Sequence, residues 1–265
     1  MDLLHAVFLA VLQGFTEFLP ISSSGHLVLA PSLLDWPDQG LAFDVAVHLG
    51  TLLAVVAYFR QELFVMAQDW LKSIAGGPAT GESRLAWAII WGTVPVAIAG
   101  FLVSGPVEAY LRDPMLVAST TAGFGLLLWL ADARGRRQRD EHSLAWADVM
   151  LIGLAQVLAL VPGTSRSGIT MTAGLLLGLT REASARFSFL LAVPVILAAA
   201  LLETVKLLRA PQPADWAALA VGTVTAAVVA YLTIGWFLRV LGKVGMWPFA
   251  VYRLLLAAAI VIIIR

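Results

Sequence analysis

One polar segment occurs twice in this chain, 143 residues apart, and each copy is set among apolar residues. The first copy is Gln13-Gly-Phe-Thr-Glu-Phe-Leu-Pro-Ile-Ser-Ser-Ser-Gly-His26, and the second contains Pro162-Gly-Thr-Ser-Arg-Ser-Gly168. The same shift places Gln13 on Gln156 and Ala30 on Ala173. With small changes of register, Phe43 falls on Phe187 and the segment 92–94 falls on 222–224, both of which read Gly-Thr-Val. Matches in one order over most of each half indicate an internal duplication.

The apolar composition predicts that the duplicated chain lies in a membrane. Of its 265 residues, 60% are hydrophobic and 13% are charged, whereas soluble domains carry about 25% charged residues. Apolar runs recur along the whole length, which indicates a helical bundle and not the weak alternation of an outer-membrane barrel. The formal net charge is zero and cysteine is absent. We therefore expect no nucleic-acid partner, no disulfide and no thiolate metal site.

Each half is predicted to contain one re-entrant helix hairpin and three membrane crossings. The apolar pieces 3–19 and 27–34 are too short or too interrupted for a crossing of about 20 residues, so we interpret them as a hairpin whose turn lies within the membrane. The second hairpin covers 149–178. The predicted crossings are 41–59, 86–104, 115–131, 187–203, 216–238 and 248–264. The predicted loops are 60–85, 105–114 and the basic segment 132–142.

An odd number of crossings in each half gives the two halves opposite orientations, as in many transporter folds. The predicted fold is an all-α integral membrane protein, an inverted repeat with six transmembrane helices plus two re-entrant helix hairpins. We predict a single membrane domain over 1–265. Repeat one covers about 1–131, a cytoplasmic linker about 132–147 and repeat two about 148–265. The two hairpins enter from opposite faces and meet near the middle.

The distribution of basic residues predicts the orientation in the membrane. On this topology one face carries Arg60, Lys72, Arg84, Arg134, Arg136, Arg137, Arg139, Arg181, Arg186, Arg239 and Lys243. The other face carries mainly Arg112, Lys206, Arg209 and Arg265. By the positive-inside rule the first face is cytoplasmic. The first hairpin then opens to the outside of the cell.

The first polar segment offers groups for acid–base and nucleophilic chemistry. Gln13 and Glu17 are four residues apart and share a helix face, where Glu17 can act as a base or as an oxygen ligand to a hard cation. The hydroxyls of Ser22, Ser23 and Ser24 follow, with His26 close enough in sequence to assist. The alternatives are a buried structural carboxylate and serines that cap a helix. His48, within a predicted crossing, is interpreted as a packed residue.

The second polar segment has the character of a phosphate site. A guanidinium at membrane depth needs an anionic partner, and the planar fork of Arg166 suits a phosphate or a carboxylate. A structural pair with Glu17 is the alternative. Gly163 and Gly168 allow close backbone approach, and helices that restart after each turn direct N–H groups and a positive dipole end at the site. Further hydroxyl donors surround the arginine: Thr164, Ser165, Ser167 and Thr170.

Both motifs together closely resemble the undecaprenyl-diphosphate phosphatase family, also called the bacitracin-resistance family, over the whole chain. The resemblance implies hydrolysis of undecaprenyl diphosphate at the outer side of the bacterial cell membrane, to recycle the lipid carrier of peptidoglycan synthesis. It implies Glu17, Ser23, His26 and Arg166 as catalytic residues and a divalent cation, Mg or Ca, as cofactor. It implies Ser22, Ser165, Ser167 and Thr170 as supporting residues. Together with these we predict that the substrate is bound by the other motif residues Gln13, Ser24, Gly25, Gly163, Thr164 and Gly168. The family has Glu or Gln at the first motif position, and this chain has Gln13, so one carboxylate is missing. The main cation ligands are then Glu17 and the diphosphate, and Gln13 is a further ligand.

Two questions stay open at this level. The inverted repeat also fits a transporter or flippase for a lipid phosphate, although a transporter has no evident use for a nucleophile beside an acid–base group. The attacking group is either Ser23 or a water molecule activated by Glu17. The arrangement also allows a homodimer.

Overall fold

The computed structural model of the protein describes residues 2–34, 36–37, 39–102, 113–209 and 215–264. These residues form eleven α-helices and two short 3-10 helices, Glu141–Ser143 and Leu158–Leu160, and they contain no β-strand. The α-helices are α1 Leu3–Thr16, α2 Ser23–Leu33, α3 Leu41–Tyr58, α4 Arg60–Ile74, α5 Gly81–Leu102, α6 Pro114–Arg134, α7 Trp146–Val157, α8 Arg166–Leu176, α9 Arg181–Arg209, α10 Trp216–Val244 and α11 Trp247–Ile264. The predicted all-α membrane class is confirmed.

Five of the six predicted crossings coincide with helices that are long and apolar enough to span a bilayer, namely α3, α5, α6, α9 and α10. The sixth, 248–264, lies on α11, which is 18 residues long and ends at the limit of the described chain. The number of crossings therefore stays a prediction. The predicted loop 105–114 and the basic residues Arg112 and Arg265 lie outside the described residues, apart from the start of α6.

The prediction of a loop over 60–85 is wrong. This segment contains the 15-residue helix α4 and the first turn of α5. It is too polar to cross a membrane, but its Arg, Gln, Glu, Leu and Met residues are good helix formers. Thr80 donates a hydrogen bond of 2.8 Å to Asp69 and so ties the end of the connection back to α4. That bond and one from Lys72 hold the pKa of Asp69 below its ordinary value.

The two hairpins, α1–α2 and α7–α8, enter the helix bundle from opposite ends. Ala6 of α1 packs in one cluster with Ala218, near the beginning of α10. At the other end of α10, the backbone N–H of Met246 donates to Asp132, and Arg181, which follows α8, binds the same carboxylate at 2.6 Å. The tips of both hairpins therefore project toward the interior of the bundle.

Each hairpin packs against the second long helix of the other half, α1 on α10 and α7 on α5. Both contacts need glycine. A Cβ atom at Gly14 would lie 2.7 Å from the carbonyl oxygen of Ala226, and one at Gly153 would lie 2.7 Å from that of Gly92. This exchange of partners is what an inverted duplication produces, and the repeat itself stays a prediction.

Candidate active site

Each hairpin changes direction at a serine with a strained backbone. We define the first tip as residues 17–22 and the second tip as residues 161–165. Ser22 has φ 73° and Ser165 has φ 69°, a region that residues other than glycine seldom adopt. The two serines occupy equivalent positions of the two motifs. Each one leads directly into a helix, α2 at Ser23 and α8 at Arg166, so the next residue stands at a helix N-terminus.

The start of α8, which directly follows the second tip, contacts the first tip, as the sequence predicts. Nη2 of Arg166 donates to Oε1 of Glu17 at 2.9 Å, and Oγ of Ser167 donates to the carbonyl oxygen of Leu19 at 2.9 Å. The pair between Arg166 and Glu17, considered above as a structural alternative, is present. It uses one of the five N–H donors of a guanidinium, so Arg166 keeps donors for an anion.

Glu17 is the common acceptor of the site. Its Oε2 atom accepts hydrogen bonds from Oγ of Ser23 at 2.7 Å and from Nε2 of Gln13 at 2.9 Å. The Nε2 atom of His48 lies 3.9 Å from the same oxygen. Glu17 is itself buried. The hydroxyl of Ser23 is therefore held against a carboxylate that can take its proton.

The aromatic ring that follows Glu17 anchors the first tip in the core. Phe18 is fully buried and packs edge to face on Phe189 of α9, with ring centroids 5.1 Å apart. Phe189 in turn packs on Phe237 of α10 at 5.9 Å. This row of rings fixes the end of α1, and with it the carboxylate of Glu17, relative to α9 and α10.

A cavity of about 310 Å³ opens at the tips. Its polar lining residues are Glu17, Ser22, Ser23, Ser24, Asp44, His48, Gln156, Ser165, Arg166 and Glu203. Its apolar lining residues are Leu41, Val45, Val96, Ala159, Leu160, Val195, Ile196, Ala199 and Ala200. A cavity lined by both polar and apolar side chains, with the reacting groups at the tips, suits an amphiphile whose head group lies at the tips.

The two histidines near the site lie differently from what the sequence predicts, because His48 and not His26 lines the cavity. His26 is buried, and its ring nitrogens contact the carbonyl oxygen of Ser22 at 2.7 Å and the hydroxyl of Tyr252 at 2.5 Å. It therefore faces Tyr252 and not the cavity. His48, interpreted from sequence as a packed residue, lines the cavity, while its Nδ1 contacts the carbonyl oxygen of Asp44 at 2.7 Å.

The residues of the second motif mainly shape and cap the start of α8. Oγ of Ser165 accepts the N–H of Gly168 at 3.1 Å, and Thr170 shares a hydrogen bond of 2.7 Å with Ser188. At Gly163, with φ 87°, a Cβ atom would collide with Thr120 and with the carbonyl oxygen of Val117. These contacts hold the tip, and so they place Arg166 at the cavity.

The remaining predicted residues differ in their access to the cavity. Ser24 is exposed and lies 3.4 Å from Ser22 through their hydroxyl oxygens. Gly25 is buried, and a Cβ atom there would make only ordinary contact with Ser22. The hydroxyl of Thr164 is buried and has no hydrogen-bond partner among the described residues. Thr164 is buried beside the site and does not line the cavity.

Two buried amides with unused oxygens occupy equivalent positions in the two hairpins. Gln13 and Gln156 are both fully buried, and Oε1 of each has no hydrogen-bond partner within the described structure. An amide oxygen beside a carboxylate is a ligand type that hard cations accept. The described residues contain no group of three or more His, Cys, Asp or Glu side chains that could hold a metal. Gln13 and Glu17 thus fit a cation only if a bound phosphate supplies further oxygens.

Arg253 is a residue of the site that the sequence interpretation missed. It is fully buried in α11, and its guanidinium donates to carbonyl oxygens of both tips, including Pro20 at 3.3 Å and Gly163 at 2.8 Å. The signal was available, because an arginine in the middle of an apolar run is a functional candidate by default. Its hydrogen-bond partners could not be predicted, because they are backbone carbonyl groups, which every residue carries.

The chain matches proteins of one family along almost its whole length. The family model described as "Bacitracin resistance protein BacA" matches residues 6–259. "Undecaprenyl-diphosphatase" of Nitrosococcus oceani is 59% identical, with 97% of each chain covered. "Undecaprenyl-diphosphatase 2" of Stutzerimonas stutzeri is 57% identical, over 99% of this chain and 98% of the relative. The motifs at the two tips and this full-length similarity agree, and the chain belongs to the bacitracin resistance protein BacA family.

Proposed function

We propose that this protein hydrolyses undecaprenyl diphosphate to undecaprenyl phosphate and inorganic phosphate, which recycles the lipid carrier of peptidoglycan synthesis and confers resistance to bacitracin. Family membership and relatives named undecaprenyl-diphosphatase support this activity. The observation that carries it is the hydrogen bond of 2.7 Å from Ser23 to Glu17, with Arg166 on the other oxygen of that carboxylate. A hydroxyl, a base and a phosphate-binding cation are the parts that phosphoryl transfer needs.

In the first step Ser23 attacks the terminal phosphorus of the diphosphate. Its proton passes to Glu17, an Oγ–P bond forms, and the bond from phosphorus to the bridging oxygen breaks. Undecaprenyl phosphate leaves with the electron pair of that bond. In the second step a water molecule attacks the phosphorus of the phosphoserine, so that a bond from the water oxygen to phosphorus forms and the Oγ–P bond breaks. Glu17 returns its proton to Ser23 Oγ, and inorganic phosphate leaves as H2PO4− with both protons of the water.

Charge on the transferring phosphoryl group is stabilised by groups that are already in place. The guanidinium of Arg166 offers its remaining donors, and α2 and α8 begin at Ser23 and Arg166, so the positive ends of both helix dipoles point to the same space. Such donors are effective because their orientation is fixed before the reaction. The buried contacts of Ser165 and Ser167 supply that fixation.

We expect a divalent cation, Mg or Ca, to bind through Glu17, Gln13 and the diphosphate oxygens. Mg in particular is often held by one or two carboxylates together with substrate phosphates. A bound cation would neutralise charge on the diphosphate. Because the protein ligands are few, a chelator should reduce turnover strongly. Phosphate release measured with and without chelator, followed by addition of Mg or Ca, tests this expectation.

The apolar residues that line the cavity suit the first part of the prenyl chain. Val96 of α5 and Val195 and Ile196 of α9 line the cavity, so the lipid can lie between α5 and α9 with its head group at Ser23. We further propose that the protein lies in the bacterial inner membrane with this site open to the periplasmic or extracellular side. The positive-inside count supports that orientation. A homodimer remains a prediction.

The assay for the proposed function is phosphate release from a C55 prenyl diphosphate by the purified protein. We expect release in the presence of Mg or Ca, with undecaprenyl phosphate as the second product. Movement of the intact lipid between leaflets of a vesicle, with no phosphate release under any cation condition, would instead favour the transporter. The contact between Ser23 and Glu17 favours hydrolysis, since binding and transport need no nucleophile.

A further inference from the structure

The side chain of Arg253 joins three separate parts of the fold. Its Nε atom donates to the carbonyl oxygen of Thr121 in α6 at 3.0 Å. Nη1 donates to Pro20 of the first tip at 3.3 Å, and Nη2 donates to Gly163 and Thr164 of the second tip at 2.8 and 3.0 Å. One planar group therefore connects both tips to the bundle.

The environment of Arg253 differs from that of a structural ion pair. Within the described chain, no carboxylate lies within ion-pair distance of its guanidinium, whereas Arg186 at the end of the bundle binds Glu62 and Glu141, each at 2.7 Å. A buried charge costs several kcal/mol unless hydrogen bonds replace its hydration. For Arg253 that replacement comes from backbone carbonyls alone, so its position depends on the shape of the tips.

The fold leaves room for this guanidinium at two glycines. A Cβ atom at Gly168 would lie 2.9 Å from Nη1 of Arg253, and one at Gly125 of α6 would lie 3.0 Å from its Cβ atom. Gly168, predicted from sequence as a substrate-binding residue, thus makes space for Arg253. The glycine of the second motif and the arginine of α11 form one arrangement.

The carbonyls that Arg253 holds are close in sequence to the reacting groups. Pro20 lies midway between Glu17 and Ser23, and Gly163 lies three residues before Arg166. Fixing the two carbonyls on one rigid fork therefore fixes the carboxylate and the hydroxyl relative to the guanidinium of Arg166. We propose that Arg253 is a positioning residue of the site, which holds the two tips in the register that the reaction requires. This inference rests on the proposed function.

Single-turnover hydrolysis by the full-length protein in detergent tests the inference. The probe is a C55 prenyl diphosphate labelled in its terminal phosphate, and the variants are Arg253→Lys and Arg253→Gln. Lysine keeps the charge and loses the fork, and glutamine removes the buried charge, so that at least one folded variant is expected. For both variants we expect the single-turnover rate constant to fall at least tenfold. The amount of phosphate released by each folded molecule should stay near one.

Arg186→Lys is the matched control, because it removes an arginine fork that binds carboxylates away from the tips. For that variant we expect lower thermal stability with an unchanged rate constant in the molecules that stay folded. If the role of Arg253 were purely structural, its variants would likewise show lower thermal stability and an unchanged rate constant. Wild-type rate constants in both Arg253 variants would therefore overturn the proposal. Retention of the rate in Arg253→Lys with loss in Arg253→Gln would assign the effect to charge and would also overturn it. Absence of hydrolysis by the wild-type protein would instead contradict the proposed function.

Discussion

At the residue scale, the chemistry of the site converges on one carboxylate. Glu17 accepts from Ser23 and Gln13 on one oxygen and from Arg166 on the other. A group that accepts three donors is held in one orientation, because each rotation of the carboxylate breaks at least one bond. The position of Ser23 is therefore coupled to that of Arg166 through Glu17, although the two residues belong to different hairpins.

Arg166→Lys should damage catalysis severely even though the charge is kept. An ammonium group is a point charge and cannot bind Glu17 and a phosphate in the planar geometry of a guanidinium. We expect a loss of at least about tenfold in turnover, or about 1.4 kcal/mol in the activation barrier. Steady-state kinetics on the purified variant measure the loss. Turnover near that of the wild type would remove Arg166 from the transition state.

The histidines show which part of the site a sequence can predict. The spacing of Glu17, Ser23 and Arg166 within two related motifs was sufficient to predict their meeting. The direction of the His26 ring was not predictable, because it depends on Tyr252, a residue of the last helix. His48 carried no local signal, and only the packing of α3 against the tips brings it to 3.9 Å from Glu17.

At the element scale, the sharp turn of the second tip depends on Gly163. Alanine there would combine a positive φ with a collision against Thr120 and the backbone of Val117. Backbone strain of this kind alone costs about 1 to 3 kcal/mol. We expect Gly163→Ala to lower the free energy of unfolding by more than that, because the collision adds to the strain. Gly76→Ala is the matched control, since Gly76 has a similar φ of 85° and open space at its Cβ position. Thermal unfolding of both variants in detergent makes the comparison, and equal destabilisation would contradict the collision.

The helices that cross the membrane were predictable, and the connections were not. Hydropathy placed α3, α5, α6, α9 and α10 because a crossing needs an uninterrupted apolar length. The same criterion assigned α4 to a loop, although a polar segment can form a helix on the surface of a bundle. The meeting of the hairpins followed from their polar residues, which need each other at membrane depth.

At the scale of the whole molecule, the two ends of the bundle should face different compartments. Pro37 follows the first hairpin, and Arg136 lies beside Gly178 at the mouth of the second. Because the chain has no cysteine, Pro37→Cys and Arg136→Cys give single labelling sites. We expect an impermeant thiol reagent to label Pro37→Cys from outside the cell and Arg136→Cys only from the cytoplasmic side. Labelling of both from one side would contradict the opposed hairpins.

The most direct measurement is a single-turnover comparison of the wild type with Ser23→Ala and Glu17→Gln, made together with binding of undecaprenyl diphosphate. We predict that Ser23→Ala binds the lipid nearly as the wild type does and releases no phosphate, because the hydroxyl contributes little to binding beside Arg166 and the helix N-termini. Glu17→Gln should also lose turnover, since the base is gone. Phosphate release by Ser23→Ala at close to the wild-type rate would contradict attack by this serine and would assign the attack to water.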